Sequence, residues 1–485
     1  MREYTMNDDI CNMTVNADTQ LMLSHTPEEL DNLFQSQLAF FKSGATRSYE
    51  FRKGQLGVLR QAVLRFEKEI NAAVEKDLRK NAFEAYGTEI GPVLKEISLA
   101  EKSLRGWMQP RRVPTPLLFF PTTSKVQPEP RGVSLIIGPW NYPFLLVFQA
   151  IVNSIAAGNT IILKPSEESC ATEAVIKKLV EATFEPEYFA VVTGPGHLVS
   201  QHLIEKHHLD IVFFTGSTAV GKKVMLSAAK QLTPVILELG GKSPCIIAPD
   251  AAIDYTARKV LFTTFLNKGQ TCVAADYLLV HESIKEKMVA ALKKYIVQFY
   301  GEDPRQSPDY GRIINQKHFL RLQSYLTQGR ILHGGECDIN DLYMAPTLMD
   351  NVSLDDPIMQ DEIFGPIVPI LTYQTNEEAL EIIERNPYPL ALYVYTNNKQ
   401  TEQFFMDRIR FGGGCVNNGV IHLGNSHLPF NGVGFSGISG YHGKSGFDAF
   451  SHLKSIMRSP TWVDVPLWYA PYKTWYVRVL KKLLR

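Results

Sequence analysis

The sequence lacks several features that mark common classes of protein. Its 485 residues carry no formal net charge, since 50 Lys and Arg residues balance 50 Asp and Glu residues. Nucleic acid is therefore not expected as a partner, because neutralising phosphates requires a basic surplus. No apolar run approaches the roughly 18–20 residues of a membrane span. Residues 1–25 form a polar tail without the apolar core and basic flank of a signal peptide.

Cysteine is scarce, and its spacing excludes two kinds of site. There is no CxxC pair and no His-x-x-x-His pair, so neither a zinc site nor a disulfide framework is predicted. A reducing, cytoplasmic compartment is the natural expectation. The six widely separated cysteines are Cys11, Cys170, Cys245, Cys272, Cys337 and Cys415.

The length predicts two or three packed units rather than one core. From Pro27 to Trp107 apolar residues recur at helical spacing between charged ones. The proline-rich run 110–130 breaks helices, so we expect an extended connector or an outlying hairpin there.

Short apolar runs then alternate with helical segments. The runs lie at 132–138, 160–164, 209–215 and 234–238, with helices expected at 148–157 and 170–182. A second alternation covers 244–431, with strands expected at 277–280, 367–372 and 390–395. Buried strands between helices predict an α/β fold of two doubly wound, Rossmann-like lobes separated by a cleft, with ligands beyond the carboxyl ends of the strands.

Two residues have the chemistry of a two-step acyl transfer. Cys272, the last residue of GQTC, is followed by small residues and could attack an electrophilic carbon, while Glu238 ends an apolar strand before two glycines and could activate a water. An inert buried thiol is the default alternative for any cysteine, and Cys245 and Cys415 fit it. A buried Glu238 anion would be costly without a use, which favours a functional role.

Other candidates follow strand ends. Asn141, between two prolines, could donate to an oxyanion or be a turn residue. Gly216 and Ser217 open a helix whose free N–H groups could bind a pyrophosphate, although a glycine helix entry without a ligand is as common. Lys164 and Glu167 could hold ribose hydroxyls, or could simply begin a helix with Glu167 in its first turn.

Taken together, six motifs resemble the NAD(P)-dependent aldehyde dehydrogenases. PWNYP, KPSE, FTGS, LELGGK, GQTC and EIFGP occur in that family's order and approximate spacing, and the resemblance extends over residues 27–475. The closing segment 437–452 is similar to the class 3 branch, which includes fatty, aromatic and coniferyl aldehyde dehydrogenases. Ala275 departs from the proline common in that branch, which should alter loop rigidity rather than chemistry.

The resemblance implies a role for each matching position. Cys272 would be the nucleophile, Glu238 the general base and Asn141 the side-chain oxyanion donor, joined by the Cys272 amide. His442 belongs to the class 3 signature, and we expect a structural hydrogen bond there. The implied cofactor contacts are Lys164 and Glu167 at the adenosine ribose, Gly216 and Ser217 under the pyrophosphate, Glu362 at the nicotinamide ribose, Phe364 beside the ring, and Leu239.

The resemblance also implies a domain layout. Residues 26–110 and 131–239 would bind the cofactor, and 240–446 would form the catalytic domain. A small β hairpin segment at 111–130, with 447–458, would join subunits, and 459–485 would be a C-terminal tail.

The expected reaction oxidises medium- or long-chain aliphatic or aromatic aldehydes to acids through a thiohemiacetal and a thioester. NAD is the expected cofactor, with detectable use of NADP. Two other functions stay open: a CoA-acylating relative, which typically lacks a base at position 238, and a non-catalytic binding protein, which would have lost one of the three catalytic groups.

Two further segments of the sequence bear on oligomeric assembly and on membrane contact. The apolar run 117–120 lies in a segment that otherwise reads as connector, so we expect a homodimer interface there. Past Pro471, apolar residues follow helical rows opposite Arg478, Lys481, Lys482 and Arg485. Such a helix fits either an anionic membrane surface or the protein's own surface, and the resemblance to fatty-aldehyde enzymes implies that it covers the substrate entrance.

Overall fold

The computed structural model describes residues 25–464 and 468–484, and its first part is helical as predicted. Thr26 and Glu29 form a reciprocal capping box that starts the first helix. A π-helical turn, Tyr86–Ile90, carries Glu89 into the interior just before the fourth helix. The four helices are α1 (Pro27–Lys42), α2 (Tyr49–Leu78), α3 (Ala82–Ala85) and α4 (Gly91–Trp107).

The proline-rich run forms the outlying hairpin, and the first α/β lobe follows it. The hairpin strands are β1 (Arg111–Val113) and β2 (Thr123–Pro130). The lobe consists of β3 (Val133–Ile137), α5 (Leu145–Ala157), β4 (Thr160–Lys164), α6 (Cys170–Glu181), β5 (Phe189–Val191), α7 (Gly196–Lys206), β6 (Ile211–Thr215), α8 (Thr218–Ala229) and β7 (Val235–Glu238).

The second lobe also consists of strands and helices that alternate along the chain. Its elements are β8 (Pro244–Ile247), α9 (Ile253–Phe265), β9 (Tyr277–His281), α10 (Lys285–Tyr300), α11 (Gln316–Tyr325), β10 (Arg330–His333), β11 (Cys337–Asp338), β12 (Tyr343–Met344), β13 (Thr347–Asp350), α12 (Pro357–Gln360), β14 (Ile367–Tyr373), α13 (Asn376–Glu384), β15 (Ala391–Tyr395), α14 (Lys399–Arg408) and β16 (Gly413–Val416).

The last elements return to the first lobe and to the hairpin. They are β17 (Phe430–Asn431), β18 (Gly437–Ile438), β19 (Gly440–Tyr441), α15 (Gly443–Ala449), β20 (Ser451–Arg458) and α16 (Thr474–Leu483). Among the described residues, no helix has both the length and the apolar character needed to cross a membrane.

Two mainly parallel sheets confirm the predicted fold class. The first has the order β18-β7-β6-β3-β4-β5 and the second β10-β13-β14-β9-β8-β15-β16. Only the edge strands β18 and β10 pair antiparallel with their neighbours. The strands β3, β4 and β6 are buried along their whole length, which explains their continuous apolar runs. Their carboxyl ends meet at one edge, where the predicted ligand residues lie.

Two sequence-derived boundaries differ from the structure. β18 lies within the range predicted for the catalytic domain, yet Gly437 pairs with Glu238 on the first sheet. The strand expected from Phe447 begins only at Ser451, because Phe447 lies in α15 with its ring fully buried. β20 then pairs with β2 along its full length, giving the three-stranded sheet β1-β2-β20.

Candidate active site

A cavity of about 580 Å³ opens between the lobes, and it brings the three predicted catalytic residues together. Asn141, Glu238 and Cys272 all line it, although 131 positions separate the first from the last along the chain. Of the predicted cofactor contacts, the lining includes Gly216, Ser217, Leu239, Glu362 and Phe364. As the described residues define it, the lining does not include Lys164 and Glu167.

Cys272 is presented by an unusual loop. Asn267, Lys268 and Gly269 are three consecutive residues with positive φ, at 50°, 60° and 74°. A side chain at position 269 would overlap the carbonyl oxygen of Gly365, so only glycine fits there. The turn leaves Cys272 partly exposed while Thr271 and Val273 are buried.

The surroundings of Cys272 favour the protonated thiol over the thiolate. Burial raises its pKa well above the ordinary value of 9.0, and the nearby Glu362 and Glu238 raise it further. Backbone N–H groups of residues 272 and 273 oppose this rise only partly. The thiol therefore needs its proton removed at the moment of attack, since the thiolate is the nucleophile.

Glu238 is a buried carboxyl group that makes no hydrogen bond to the described residues. It ends β7 with 1% of its surface exposed, and neither carboxylate oxygen has a hydrogen-bond partner among the described residues. Burial raises the pKa of Glu238 well above its ordinary value of 4.5. A native protein rarely leaves such a group unpaired without a function, and a raised pKa suits a group that accepts a proton near neutral pH.

Asn141 is held so that one amide hydrogen stays free. Its Nδ2 donates to the carbonyl oxygen of Gln270 at 3.0 Å. A side-chain amide has two N–H donors, so the second remains for a ligand in the cavity. Tyr142 and Thr271 join the same two segments through their hydroxyl groups at 2.7 Å. The oxyanion donor and the nucleophile are thus tied to one another.

The start of α8 supplies N–H groups to the cavity. Ser217 caps this helix by accepting from the Val220 amide, and the Thr215 hydroxyl nearby is buried without a hydrogen-bond partner in the described part of the chain. Free N–H groups and the positive end of a helix dipole favour a phosphate at this point.

Lys164 and Glu167 bind one another after β4, next to the start of α7. Lys164 is 1% exposed and donates to Glu167 at 2.7 Å, and Glu167 accepts from the Gly196 amide at 2.8 Å. Although burial would raise the pKa of Glu167, Lys164 and this amide lower it below the ordinary value. The alternative in which Glu167 occupies the first turn of a helix is wrong, because α6 begins only at Cys170.

Glu362 reaches the cavity through a close approach to Gly240, where any side chain would overlap its carboxylate. Burial raises the pKa of Glu362 well above its ordinary value. Its loop is held by Arg321, which donates to the Ile363 carbonyl at 2.8 Å, and by Asp276, which accepts from the Ile363 amide at 2.9 Å.

The walls of the cavity include aromatic rings. Phe364 packs edge-on against Trp140 with ring centroids 5.3 Å apart, and His318 lies 4.9 Å from Trp140. Burial lowers the pKa of His318 to about 4, so this ring is neutral at physiological pH. A neutral aromatic wall can accommodate an apolar ligand.

Sequence reasoning missed the residues that support this site. Lys242 and Asp276 form a buried ion pair, and Lys80 forms another with Glu89. Lys242 is part of the motif LELGGK, but its partner Asp276 belongs to none of the six motifs. His442, in contrast, makes the expected structural hydrogen bond, to Gln149 at 3.1 Å.

The sequence is similar to those of known proteins over most of its length. A sequence model described as the aldehyde dehydrogenase family matches residues 12–456. The 4,4'-diaponeurosporen-aldehyde dehydrogenase of Staphylococcus aureus is 47% identical over 92% of this chain and 97% of its own length. Mouse aldehyde dehydrogenase family 3 member B1 is 42% identical over 93% of this chain and 97% of its own.

Two solved structures have a similar fold. The substrate-bound Staphylococcus aureus AldH superposes with a TM-score of 0.92 at 45% identity, covering 94% of this chain and 99% of that one. An NAD-dependent aldehyde dehydrogenase from Sinorhizobium meliloti gives a TM-score of 0.81 at 29% identity, over 90% and 89% of the two chains.

Proposed function

The chain belongs to the aldehyde dehydrogenase family, and we propose that it oxidises aldehydes to carboxylic acids by covalent catalysis at Cys272. The observation that carries the proposal is the convergence of Cys272, Glu238 and Asn141 on one cavity. A nucleophile, a base without protein partners and a free amide donor are the parts that acyl chemistry requires.

The residues support a sequence of steps. The Cys272 thiol gives its proton to solvent as its sulfur attacks the aldehyde carbon, and the oxyanion that forms on the aldehyde oxygen accepts hydrogen bonds from Asn141 Nδ2 and the Cys272 amide. Each such donor contributes about 3–4 kcal/mol to the stability of the transition state. Once the thioester has formed, Glu238 accepts a proton from the water that attacks it, and the acid leaves Cys272.

The cavity fits a dinucleotide. The start of α8 has N–H groups that could bind phosphates, the Thr215 hydroxyl next to it has no hydrogen-bond partner among the described residues, and the Glu362 carboxylate lies against Gly240 in the cavity wall, where it could bind a ribose. The residues proposed to hold it are Gly216, Ser217, Leu239, Glu362 and Phe364, with Lys164 and Glu167 at the adenosine end. When bound, NAD or NADP accepts the hydride released as the thioester forms.

A CoA-acylating reaction is the competing assignment, and Glu238 distinguishes the two. Release by CoA needs no base for water, whereas the buried, unpartnered Glu238 carboxylate is suited to that task. The test is steady-state NADH formation from an aldehyde without CoA, with Cys272→Ala as control. Turnover that appears only when CoA is added would contradict the proposal, and no turnover under either condition would favour a non-catalytic protein.

We assign medium- or long-chain aliphatic or aromatic aldehydes as the substrate class. The aromatic wall that Trp140 gives to the cavity supports it. A panel of aliphatic chain lengths with benzaldehyde, cinnamaldehyde and the aldehyde named for the Staphylococcus relative would test it. If kcat/KM fell steadily as the aldehyde lengthened, the assignment would be wrong.

We also propose a homodimer formed through the hairpin sheet. β20 is an edge strand, and an open edge can pair with a second copy. Leu117 is 74% exposed, Phe120 71% and Met457 54%, so apolar area is available beside that edge. Light scattering at micromolar concentration should give twice the chain mass, and Phe120→Asp should reduce it. Phe83→Asp, at a residue 90% exposed outside the hairpin, is the matched control; a monomeric wild-type mass would refute the dimer.

The C-terminal helix α16 is proposed to contact anionic membranes. None of its residues is buried; on its apolar rows Trp475 is 54% exposed, whereas Tyr476, Val479 and Leu480 are partly covered. The alternative, in which the apolar face packs on the protein's own surface, is supported by the partial coverage of Tyr476, Val479 and Leu480, and both contacts are compatible if the helix lies between the protein and the membrane. Deleting residues 473–485 should abolish sedimentation with anionic liposomes and weaken kcat/KM for long aldehydes more than for short ones. Neutral liposomes are the control, and unchanged sedimentation of the truncated chain would contradict the proposal.

A further inference from the structure

A buried ion pair lies behind the oxyanion donor, in a place where the catalytic steps above give it no role. Lys80 and Glu89 are 2.6 Å apart, and both side chains are 0% exposed. Lys80 comes just after α2, and Glu89 lies in the π-helical turn. Burying two charges costs several kcal/mol per ion before their attraction is counted, so a buried ion pair is weak evidence for a role in stability.

The pair holds both ends of the segment that carries Asn141. Lys80 Nζ donates to the backbone oxygen of Asn141 at 3.0 Å and lies 3.8 Å from the centre of the Tyr142 ring. The second oxygen of Glu89 accepts from the amides of Phe144 and Leu145 at 3.2 and 2.9 Å. The backbone from the Asn141 carbonyl to the Leu145 amide is therefore held at both ends by one ion pair.

The Asn141 carbonyl is also where this segment meets the nucleophile's loop. Asn267 Nδ2 donates to it at 2.8 Å and to the Gln270 carbonyl at 3.1 Å. Gln270 in turn accepts from the Asn141 side chain. A shift of the Asn141 backbone would move the free amide hydrogen relative to Cys272, two residues after Gln270.

We propose that Lys80, supported by Glu89, is a positioning residue that fixes the oxyanion donor Asn141 relative to Cys272; this rests on the proposed role of Asn141. Misplacing a catalytic group by about 1 Å can cost on the order of a hundredfold in rate. Loss of the Lys80 ammonium should thus lower the rate of the chemical step, while substrate binding should change little, because Lys80 does not line the cavity.

The first variant is Lys80→Met combined with Glu89→Gln, which removes the cation without leaving a buried anion. Glutamine keeps an oxygen that can accept from the Phe144 and Leu145 amides. Stopped-flow measurement of the NADH burst should show a rate constant lowered on the order of tenfold to a hundredfold, with a much smaller change in the KM for aldehyde. If this variant does not fold, as judged by circular dichroism, Lys80→Gln is measured instead.

The decisive measurement combines the same change with Asn141→Ala. If Lys80 acts through Asn141, removing it should lower the burst no further once the Asn141 amide is gone. Arg52→Met is the structural control, because Arg52 is also a buried cation of the N-terminal helices, donating to the carbonyls of Thr46 and Ala156 at 3.0 and 3.2 Å. It should lower Tm and leave the burst rate unchanged.

Two results would overturn the proposal in distinguishable ways. An equal further loss in the Asn141→Ala background would show that Lys80 acts elsewhere, and the oxyanion role of Asn141 would stand. A wild-type burst rate in Asn141→Ala itself would refute that role, and the positioning role with it.

Discussion

Replacing Asn141 by alanine removes one of the two proposed oxyanion donors and little else. The side chain donates its known hydrogen bond to the Gln270 carbonyl at 3.0 Å. That carbonyl still accepts from Asn267 Nδ2 at 3.1 Å after the change, and the backbone contacts of Asn141 with Lys80 and Asn267 involve its carbonyl oxygen. The nucleophile's loop should therefore keep its position, and Tm should change little.

The kinetic loss should be much larger. A single oxyanion donor is worth about 2.7–4 kcal/mol, which is a factor of about 10² to 10³ in rate. The Cys272 amide remains, so some activity should persist. We expect the NADH burst rate to fall by that factor, with a smaller change in the KM for aldehyde, because the donor is most useful once negative charge has developed on the oxygen.

Asn159→Ala is the matched control for this experiment. Asn159 is also fully buried and also bonds backbone groups, accepting from the Gly132 amide at 3.1 Å and donating to the Phe450 carbonyl at 3.0 Å, but it does not line the cavity. It should lower Tm and leave the burst nearly unchanged. A loss in Asn141→Ala of less than about tenfold, or one matched by Asn159→Ala, would refute the oxyanion assignment.

Three further predictions concern ionisation and cofactor choice. Because burial raises the pKa of Glu238 above 4.5, release of the acid should increase with pH around a midpoint above the ordinary carboxyl range; a pH-independent kcat would contradict this. The same raised pKa also makes the free energy of unfolding depend on pH: the buried carboxyl group is tolerated when it is neutral, at low pH, and destabilises the fold as pH rises toward its folded-state pKa. Glu238→Gln should therefore raise Tm at pH 8 more than at pH 5. Equal changes in Tm at the two pH values, measured by calorimetry, would contradict this. Glu167 is anionic and half-exposed, so NAD should be preferred and Glu167→Gln should increase kcat/KM for NADP; a wild-type preference for NADP would show the assignment to be wrong.

The sequence predicts the fold and the central site because both depend on local patterns. Apolar runs of strand length between helices fix the alternation, and Glu238 and Gly216 come directly after such runs. Parallel strands place their carboxyl ends at one edge, so residues after different strands meet there. The convergence of Glu238, Gly216 and Asn141 follows from that rule.

The buried contacts that support the site could not be predicted from the sequence, because the two residues of each contact are far apart along the chain. Lys80 meets Asn141 across 61 positions, and Lys242 meets Asp276 across 34. A lysine in a polar stretch reads as a solvated residue, and nothing near it in the chain indicates a buried partner. The return of Gly437 to the first sheet was missed for the same reason, since a two-residue strand has no periodicity.

The roles of the N-terminal and last residues stay predictions. The polar tail expected at 1–25 lies outside the described residues except for His25, and so does Arg485. The helix predicted past Pro471 is confirmed as α16, whose Arg478, Lys481 and Lys482 are exposed.

The most direct test of the account is the fate of the acyl group in Glu238→Gln. With the base for water removed and Cys272 intact, an aldehyde and NAD should give one equivalent of NADH and then stall. Intact-protein mass spectrometry should show the mass of the acyl group on the chain, and peptide mapping should place it on Cys272. Unimpaired turnover by Glu238→Gln, or a burst with no adduct on Cys272, would contradict the proposed mechanism.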